Sequence, residues 1–434
     1  MGSPLLLTSV APAEALVAHL EQAWREERLV GLCAEQEQEL LGAALAGSAL
    51  TGAGVVVGSG GSAGRRRWCL QPLAHLEASA RATGQWLQSI GLDPSSTLQL
   101  NPLPLHHVSG LMPLVRSRAW GTPWRWLSPE LMRRPRELAA AFPLPADRGA
   151  LLSLVPTQLE RLLAAAEGCA WLRRCAVVWV GGAALSAELA ARARAAEIRL
   201  SPCYGASETA AMVAALAPER FLAGEDGCGQ PLADVQLRLD PDGALLVRTG
   251  RLSPGCLEAG QLQSLDRQGA WWRSGDGARV CPAGLEILGR LDGAISSGGE
   301  TVFPEQVEAR LLGWARSEGL PLAQVLLLPS PDPLWGQRLV ALVRHGGAPG
   351  PPGPEADTAT TAALITDCRR LAQRLPPAQR PQHWLACPDL APNGLGKWER
   401  GRWSGWLLQT CDGGARADDA AAEVRYSWSV APLG

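Results

Sequence analysis

Residues 55–68 read VVVGSGGSAGRRRW, a run of β-branched residues that passes straight into a glycine- and serine-rich turn. Valine suits a pleated, buried surface, and glycine punctuates such a run. Glycines directly after a strand let backbone N–H groups point at an anion, and the hydroxyls of Ser59 and Ser62 add donors. The stretch therefore predicts a strand that delivers a phosphate-binding loop. A lysine-bearing P-loop is excluded, because G-x-x-x-x-G-K-[ST] needs a Lys that this loop lacks. Two other readings stay open on these residues alone. One is a dinucleotide fingerprint, since G-x-G-x-x-A fits residues 58–63; its acid would be Glu77, which lies in the helix-like LQPLAHLEASARAT. The other is a Gly/Ser surface loop.

Outward from this strand, GVVVG (54–58), LLSLVP (151–156) and AVVWVGG (176–182) alternate with helical stretches such as PTQLERLLAAAE and SAELAARARAAEI. Apolar runs beside helices of period near 3.6 predict an α/β unit with buried parallel strands. From about 230 to 280 the texture changes to short strands and turns, with DPDG between alternating runs, so a β-rich subdomain is expected there. Beyond GRLDGAISSGGE (289–300) the pattern is α+β. The expected organisation is residues 1–290 as a large N-terminal domain of layered α/β subdomains, 291–405 as a small mobile α+β domain, and 406–434 as a polar tail without trusted periodicity. GGAPGPPGPEADTATT (346–361) reads as a flexible surface loop.

A chain of 434 residues can bury a large core and is expected to form two or three folding units. A net charge of -2 offers no field that would favour nucleic acid or an anionic membrane. The 11 cysteines are scattered, with no C-x-x-C pair. That argues against a disulfide framework or zinc site and for a reduced, cytoplasmic setting. No signal peptide or membrane span is read in the sequence, and a homo-oligomer is compatible with it.

Four further motifs carry chemistry. In SPCYGASETAAMV (201–213), Glu208 suits a magnesium ion and Ser207 a phosphate oxygen, while Tyr204 is one of only two tyrosines. In WWRSGDGARV (271–280), Asp276 in a Gly-flanked turn suits two ribose hydroxyls, although an ordinary turn Asp would look the same. GRLDGAISSGGETVFPEQVE (289–308) sets Arg290 beside a turn. APNGLGKWERGRW (391–403) holds Lys397, the single Lys among 40 basic residues. A compact ammonium on a flexible stem is not replaced by the flat guanidinium fork, so its retention is suggestive, although chance could also leave one.

In this order and spacing the five motifs resemble the adenylate-forming acyl-CoA ligase superfamily, over roughly residues 55–405. Its phosphate loop T-S-G-[ST]-[ST]-G-x-P-K-G appears as SGGSAGRRRW, with Arg67 in place of the lysine and Trp68 in place of the last glycine. YGASE, SGD, GRLD and GKWER stand for Y-G-x-T-E, T-G-D, G-R-x-D and G-K-x-x-R. LPLHHVSGLM (103–112), LLSLVPTQLERLL (151–163) and VGGAALS (180–186) look like the 2-succinylbenzoate-CoA ligase group, SLVPTQL being the most discriminating.

The resemblance implies an acid-thiol ligase of phylloquinone or menaquinone biosynthesis. It would use ATP, Mg2+ and CoA, with 2-succinylbenzoate activated as an acyl-adenylate. Ser59, Gly60, Gly61, Ser62 and Gly64 would cradle phosphates. Glu208 would hold magnesium and Ser207 the α-phosphate. Gly181, Gly182, Tyr204 and Gly205 would flank adenine, and Asp276 and Arg290 would bind ribose. Lys397 would bridge carboxylate and α-phosphate. Asp292 would be the hinge, with Gly298 and Gly299 at the CoA channel. Arg116 and Ser153 would meet the second carboxylate, and His107 would gate the pocket or stack on the ring. Two alternatives differ in class: an NAD-type oxidoreductase, which leaves YGASE, SGD and GKWER unexplained, and a degenerate adenylate-binding scaffold, motivated by Arg67, Trp68 and ISSGG. Another aryl- or acyl-CoA ligase is the alternative within the superfamily.

Overall fold

The structure is a computed structural model that describes residues 4–9, 13–46, 48–59, 67–346, 356–392 and 398–412. Gly60, Gly61, Ser62, Gly64 and Lys397 lie outside the described residues. The chain divides into two compact units, the first running to Ile287 apart from 186–188 and 275–277, the second comprising those short segments and the chain from Leu288 onward.

The first unit is built on three sheets. In one, Leu5–Thr8, Leu29–Cys33 and Gly54–Ser59 run parallel, and Arg67–Pro72, Gly255–Glu258 and Gln261–Ser264 complete it antiparallel. Val55 and Val57 pack into one apolar cluster and Val56 into another on the opposite face. Burial on both faces explains why this strand is apolar throughout rather than alternating. Each such fully buried side chain contributes roughly 1.5–3 kcal/mol.

In the second sheet Leu200–Ala206, Cys175–Val180, Gly149–Leu154, Thr97–Asn101 and Trp124–Trp126 lie side by side in parallel, and Ala211–Ala215 and Gln230–Pro231 extend it antiparallel. Leu152, Leu154, Val178 and Leu200 face one layer of the core, and Leu151, Val177, Trp179 and Cys203 the other. A third sheet gathers Val235–Leu239, Ala244–Thr249, Trp271–Cys281, Arg267–Gln268 and Gly284–Arg290.

The second unit is a five-stranded sheet of Glu300–Val302, Ile295–Ser297, Gly336–His345, Leu322–Asp332 and His383–Ala386, with helices Pro304–Ser317 and Ala356–Ala372 sharing its core. The helix Arg400–Asp412 buries Trp403 and Leu407 against Leu326, Leu328, Val340 and Leu342.

Several expectations change. The strands of the first unit are not all parallel: the loop after Ser59 is followed by an antiparallel strand, with Ser59 opposite Arg67. A dinucleotide fingerprint requires a helix at that point, so that reading fails. The surface loop expected over 346–361 gives way to helix from Ala356, where Ala- and Thr-containing residues continue the pattern of the helix behind them. The expected break near 406 falls inside the helix Arg400–Asp412, whose apolar residues are four apart. Asp276 lies within the strand Trp271–Cys281 rather than in a turn; only Gly275, at φ 78°, bends the chain there.

Candidate active site

At the carboxyl ends of the parallel strands of the second sheet, Leu154 lies opposite Val180 and Val180 opposite Pro202. Gly181 and Gly182 just beyond one strand, and Tyr204–Glu208 at the end of the next and in the turn that follows it, therefore share one edge. Open α/β sheets bind ligands at this edge, where no helix or strand covers the strand ends. Gly182 has φ 79°, a conformation that favours glycine. A Cβ at Gly181 would meet the carbonyl oxygen and Sγ of Cys203 at 3.1 Å, and one at Gly205 would meet the Ala211 carbonyl oxygen at 2.2 Å. These glycines are thus fixed by close backbone packing.

Ser207–Thr209 forms one turn of 3-10 helix, followed by Ala210 and Ala211 at φ 52° and 81°. Left-handed backbone costs a non-glycine residue on the order of 1–2 kcal/mol, so something must hold it. The carbonyls of the turn are all engaged from nearby. Gln71 Nε2 donates to Ser207 O at 2.5 Å, Ser253 N to Glu208 O at 2.7 Å, and the Thr209 hydroxyl to Ala211 O at 2.6 Å. Arg251 donates to Thr209 O and, at 2.8 Å, to Met212 O. Gln71 belongs to the strand that follows the glycine-rich loop, so the turn bearing Glu208 is tied to the sheet that ends in Ser59. Ser59 itself is buried at the end of its strand.

A single half-buried carboxylate on a fixed backbone suits Mg2+, which keeps several waters and is bound through one or two carboxylates plus substrate phosphates. Among the described residues no cluster of three or more His, Cys, Asp or Glu side chains could hold a metal by itself. Glu208 fits the first arrangement, in which nucleotide phosphates supply the remaining charge.

Deeper in the same unit, Arg116 on the helix Val108–Trp120 is 4% exposed. Its guanidinium carbon sits 4.6 Å from the centre of the Trp179 ring. Trp179 stands in register between Ser153 and Ser201. Arg116 makes no ion pair with any described residue, and its Nε, Trp179 Nε1 and the Ser201 hydroxyl are buried without a hydrogen-bond partner among the described residues. Burial pushes the Arg116 guanidinium down to about 10, so it stays charged at neutral pH. A buried cation lacking a counterion is costly unless an anion joins it. His107 caps this helix, with its ring 4.4 Å from that of His106.

In the second unit Arg290 donates from Nε and Nη2 to Asp292 at 3.1 and 3.0 Å and from Nη1 to Asp276 at 3.5 Å. Asp292 lies in the one-turn 3-10 helix Leu291–Gly293. Gly298 and Gly299, at φ 58° and 83°, make the two-residue turn between paired strands, where positive φ at both positions is required. A Cβ on Gly298 would also meet the Trp335 ring at 2.5 Å. Arg400 donates to both oxygens of Glu308 at 3.0 Å, and Leu327 N donates to Glu308 at 2.7 Å. Burial raises Glu308 to about 7, with Arg400 opposing.

The loop and turn match a known family. Residues 59–255 match the family described as AMP-binding enzyme. Through these residues the chain resembles AMP-binding enzymes. In sequence it is 31% identical over 314 residues to the 2-succinylbenzoate-CoA ligase of Salmonella typhimurium, covering 71% of this chain and 60% of that one. It is 29% identical over 305 residues to the Escherichia coli enzyme of the same name, covering 70% and 59%. The chain thus spans about three fifths of the length of these curated relatives.

The fold is shared with two solved structures. One is E. coli MenE with an analogue of OSB-AMS, at TM-score 0.66 and 24% identity over 94% of this chain and 88% of that one. The other is Bacillus subtilis o-succinylbenzoate CoA synthetase with the acyl-adenylate OSB-AMP, at TM-score 0.72 and 18% identity over 92% and 87%. The chain therefore shares the fold of these two proteins over most of its length.

Gln71, Trp179, Ser201, Asp234, Arg251 and Ser253 were not singled out by sequence reasoning. The one available signal was a tryptophan inside the otherwise aliphatic strand run AVVWV.

Proposed function

We propose that the chain is an ATP-dependent acid-thiol ligase that converts 2-succinylbenzoate to 2-succinylbenzoyl-CoA through an acyl-adenylate, acting in the cytoplasm in phylloquinone or menaquinone formation. The carboxylate attacks the α-phosphorus of ATP and pyrophosphate leaves; the thiol of CoA then displaces AMP. Such chemistry needs positioning and charge stabilisation more than covalent help. Ser59 and the loop behind it would take the β- and γ-phosphates, and Ser207 the α-phosphate. Mg2+, held through Glu208, would neutralise phosphate charge. Gly181, Gly182, Tyr204 and Gly205 would border adenine, and Asp276 and Arg290 are assigned to the ribose. Lys397 is assigned to the crowded anionic centre of the adenylation step. Asp292 is the proposed hinge, and Gly298 and Gly299 the proposed edge of the CoA channel.

The observation that carries the substrate assignment is Arg116, buried on Trp179 beside the strand of Ser153 and without an ion pair among the described residues. A monocarboxylate spends its one carboxylate at the α-phosphorus and leaves this cation uncompensated. A dicarboxylate supplies the missing anion. His107, at the start of the same helix, would stand at the aromatic ring.

ATP–pyrophosphate exchange tests this with 2-succinylbenzoate, benzoate and fatty acids side by side. Exchange strongest with 2-succinylbenzoate is expected. Preference for a monocarboxylate would sink the substrate assignment, and exchange with no acid would favour a degenerate adenylate-binding protein.

A further inference from the structure

Arg251 stands outside every motif that points to the nucleotide, yet its side chain is fully buried at the back of the Glu208 turn. Its guanidinium bonds three residues at once. Nε donates to Asp234 Oδ2 at 2.7 Å, Nη1 donates to Thr209 O, and Nη2 donates to Met212 O at 2.8 Å. The two carbonyls flank the left-handed pair Ala210 and Ala211. The same connection supplies Ser253, whose N–H donates to Glu208 O. Asp234 is oriented in turn by the Thr249 hydroxyl at 3.1 Å.

We infer that Arg251 is a positioning residue: by clamping the carbonyls on both sides of the Ala210–Ala211 step, it fixes where the Glu208 carboxylate stands for a metal–nucleotide complex. The planar fork is what makes this possible, since one lysine ammonium cannot reach two carbonyls and a carboxylate in a fixed geometry. Release of the clamp lets the alanines leave the left-handed region and carries Glu208 with them. Partners behind a metal ligand commonly set metal affinity by 10- to 100-fold, and Arg251 acts on the ligand's backbone in the same way. The inference rests on the assignment of Glu208 to magnesium.

The test uses the full chain and Mn2+ as the probe, with free Mn2+ read by electron paramagnetic resonance in the presence of saturating ATP. Arg251→Met is expected to weaken Mn2+ binding roughly tenfold or more, while metal-free ATP binding in EDTA changes less than twofold. Amides 208–212 should exchange hydrogen faster, with those of 149–154 and 175–180 unchanged. Arg251→Lys should recover only part of the loss. Asp234→Asn, which keeps the buried fork, should weaken Mn2+ binding about threefold and decides the matter if Arg251→Met does not fold. Mn2+ affinity within twofold of the parent in the folded variants overturns the inference. So does an equal loss of metal-free ATP binding, which would mean a general structural role. A parent protein that exchanges pyrophosphate with no acid refutes the proposed reaction, but the Mn2+ titration and amide exchange still judge Arg251.

Discussion

The guanidinium of Arg116 lies over the ring of Trp179, 4.6 Å from its centre, inside the layer of core behind the candidate nucleotide edge. The indole offers the cation a cation–π contact worth roughly 0.5–2 kcal/mol, too little to offset burial of a charge that has no ion-pair partner among the described residues. An anionic group of the proposed substrate would offset that cost. Arg116→Met should leave the stability of the ligand-free protein unchanged or raise it by up to about 2 kcal/mol, since a desolvated charge is removed. The same change should lower kcat/KM for 2-succinylbenzoate roughly 10- to 100-fold and affect benzoate little. Urea melts and steady-state kinetics on the two acids check both halves.

Lys397→Ala should remove at least about 3 kcal/mol of transition-state stabilisation from adenylation and leave thioester formation from supplied acyl-adenylate largely intact. Pyrophosphate release and thioester formation, measured separately, give the answer. Equal loss in both steps would contradict the division of labour.

Glu308 titrates at about 7 in the folded protein because burial outweighs the help of Arg400. A carboxyl whose folded value exceeds its unfolded value binds more protons when folded. Stability therefore falls as pH rises from about 4.5 to about 7, by about 3 kcal/mol from this group, and levels off above. Glu308→Gln should remove that slope from the difference between the two proteins, as read by urea midpoints across the range. Arg400 belongs to GKWER, so the group that anchors the helix behind Lys397 is also the one that responds to pH.

Gly205→Ala would bring a methyl within 2.2 Å of the Ala211 carbonyl oxygen, against backbone that cannot step aside. Destabilisation of about 1–3 kcal/mol and a loss of ATP binding larger than that of a surface Gly→Ala control are expected, by thermal melts and calorimetry.

What could be read is local: a strand running into glycines, and a Tyr-Gly pair followed by a hydroxyl and a carboxylate. Their partners could not be read this way. Gln71 reaches Ser207 across 136 residues, and Arg251 reaches Thr209 across 42. No periodicity records such meetings. The antiparallel strand Arg67–Pro72 hid behind three arginines that read as part of a loop, although Trp68 and Leu70 point into the core. Gly298 and Gly299 were seen as places where a ligand comes close; the positive φ of a tight turn and the Trp335 ring already require them. Helix from Ala356 and through Trp406 was missed because composition at each site suggested loop, while apolar residues set further along the chain fixed the helical register.

The most direct measurement gives the full chain Mg·ATP, CoA and 2-succinylbenzoate and follows the product by mass spectrometry. One 2-succinylbenzoyl-CoA formed for each AMP and pyrophosphate released is the result expected, with benzoate a far poorer substrate. Nucleotide binding without any thioester, or a faster reaction with a monocarboxylate, would contradict the account.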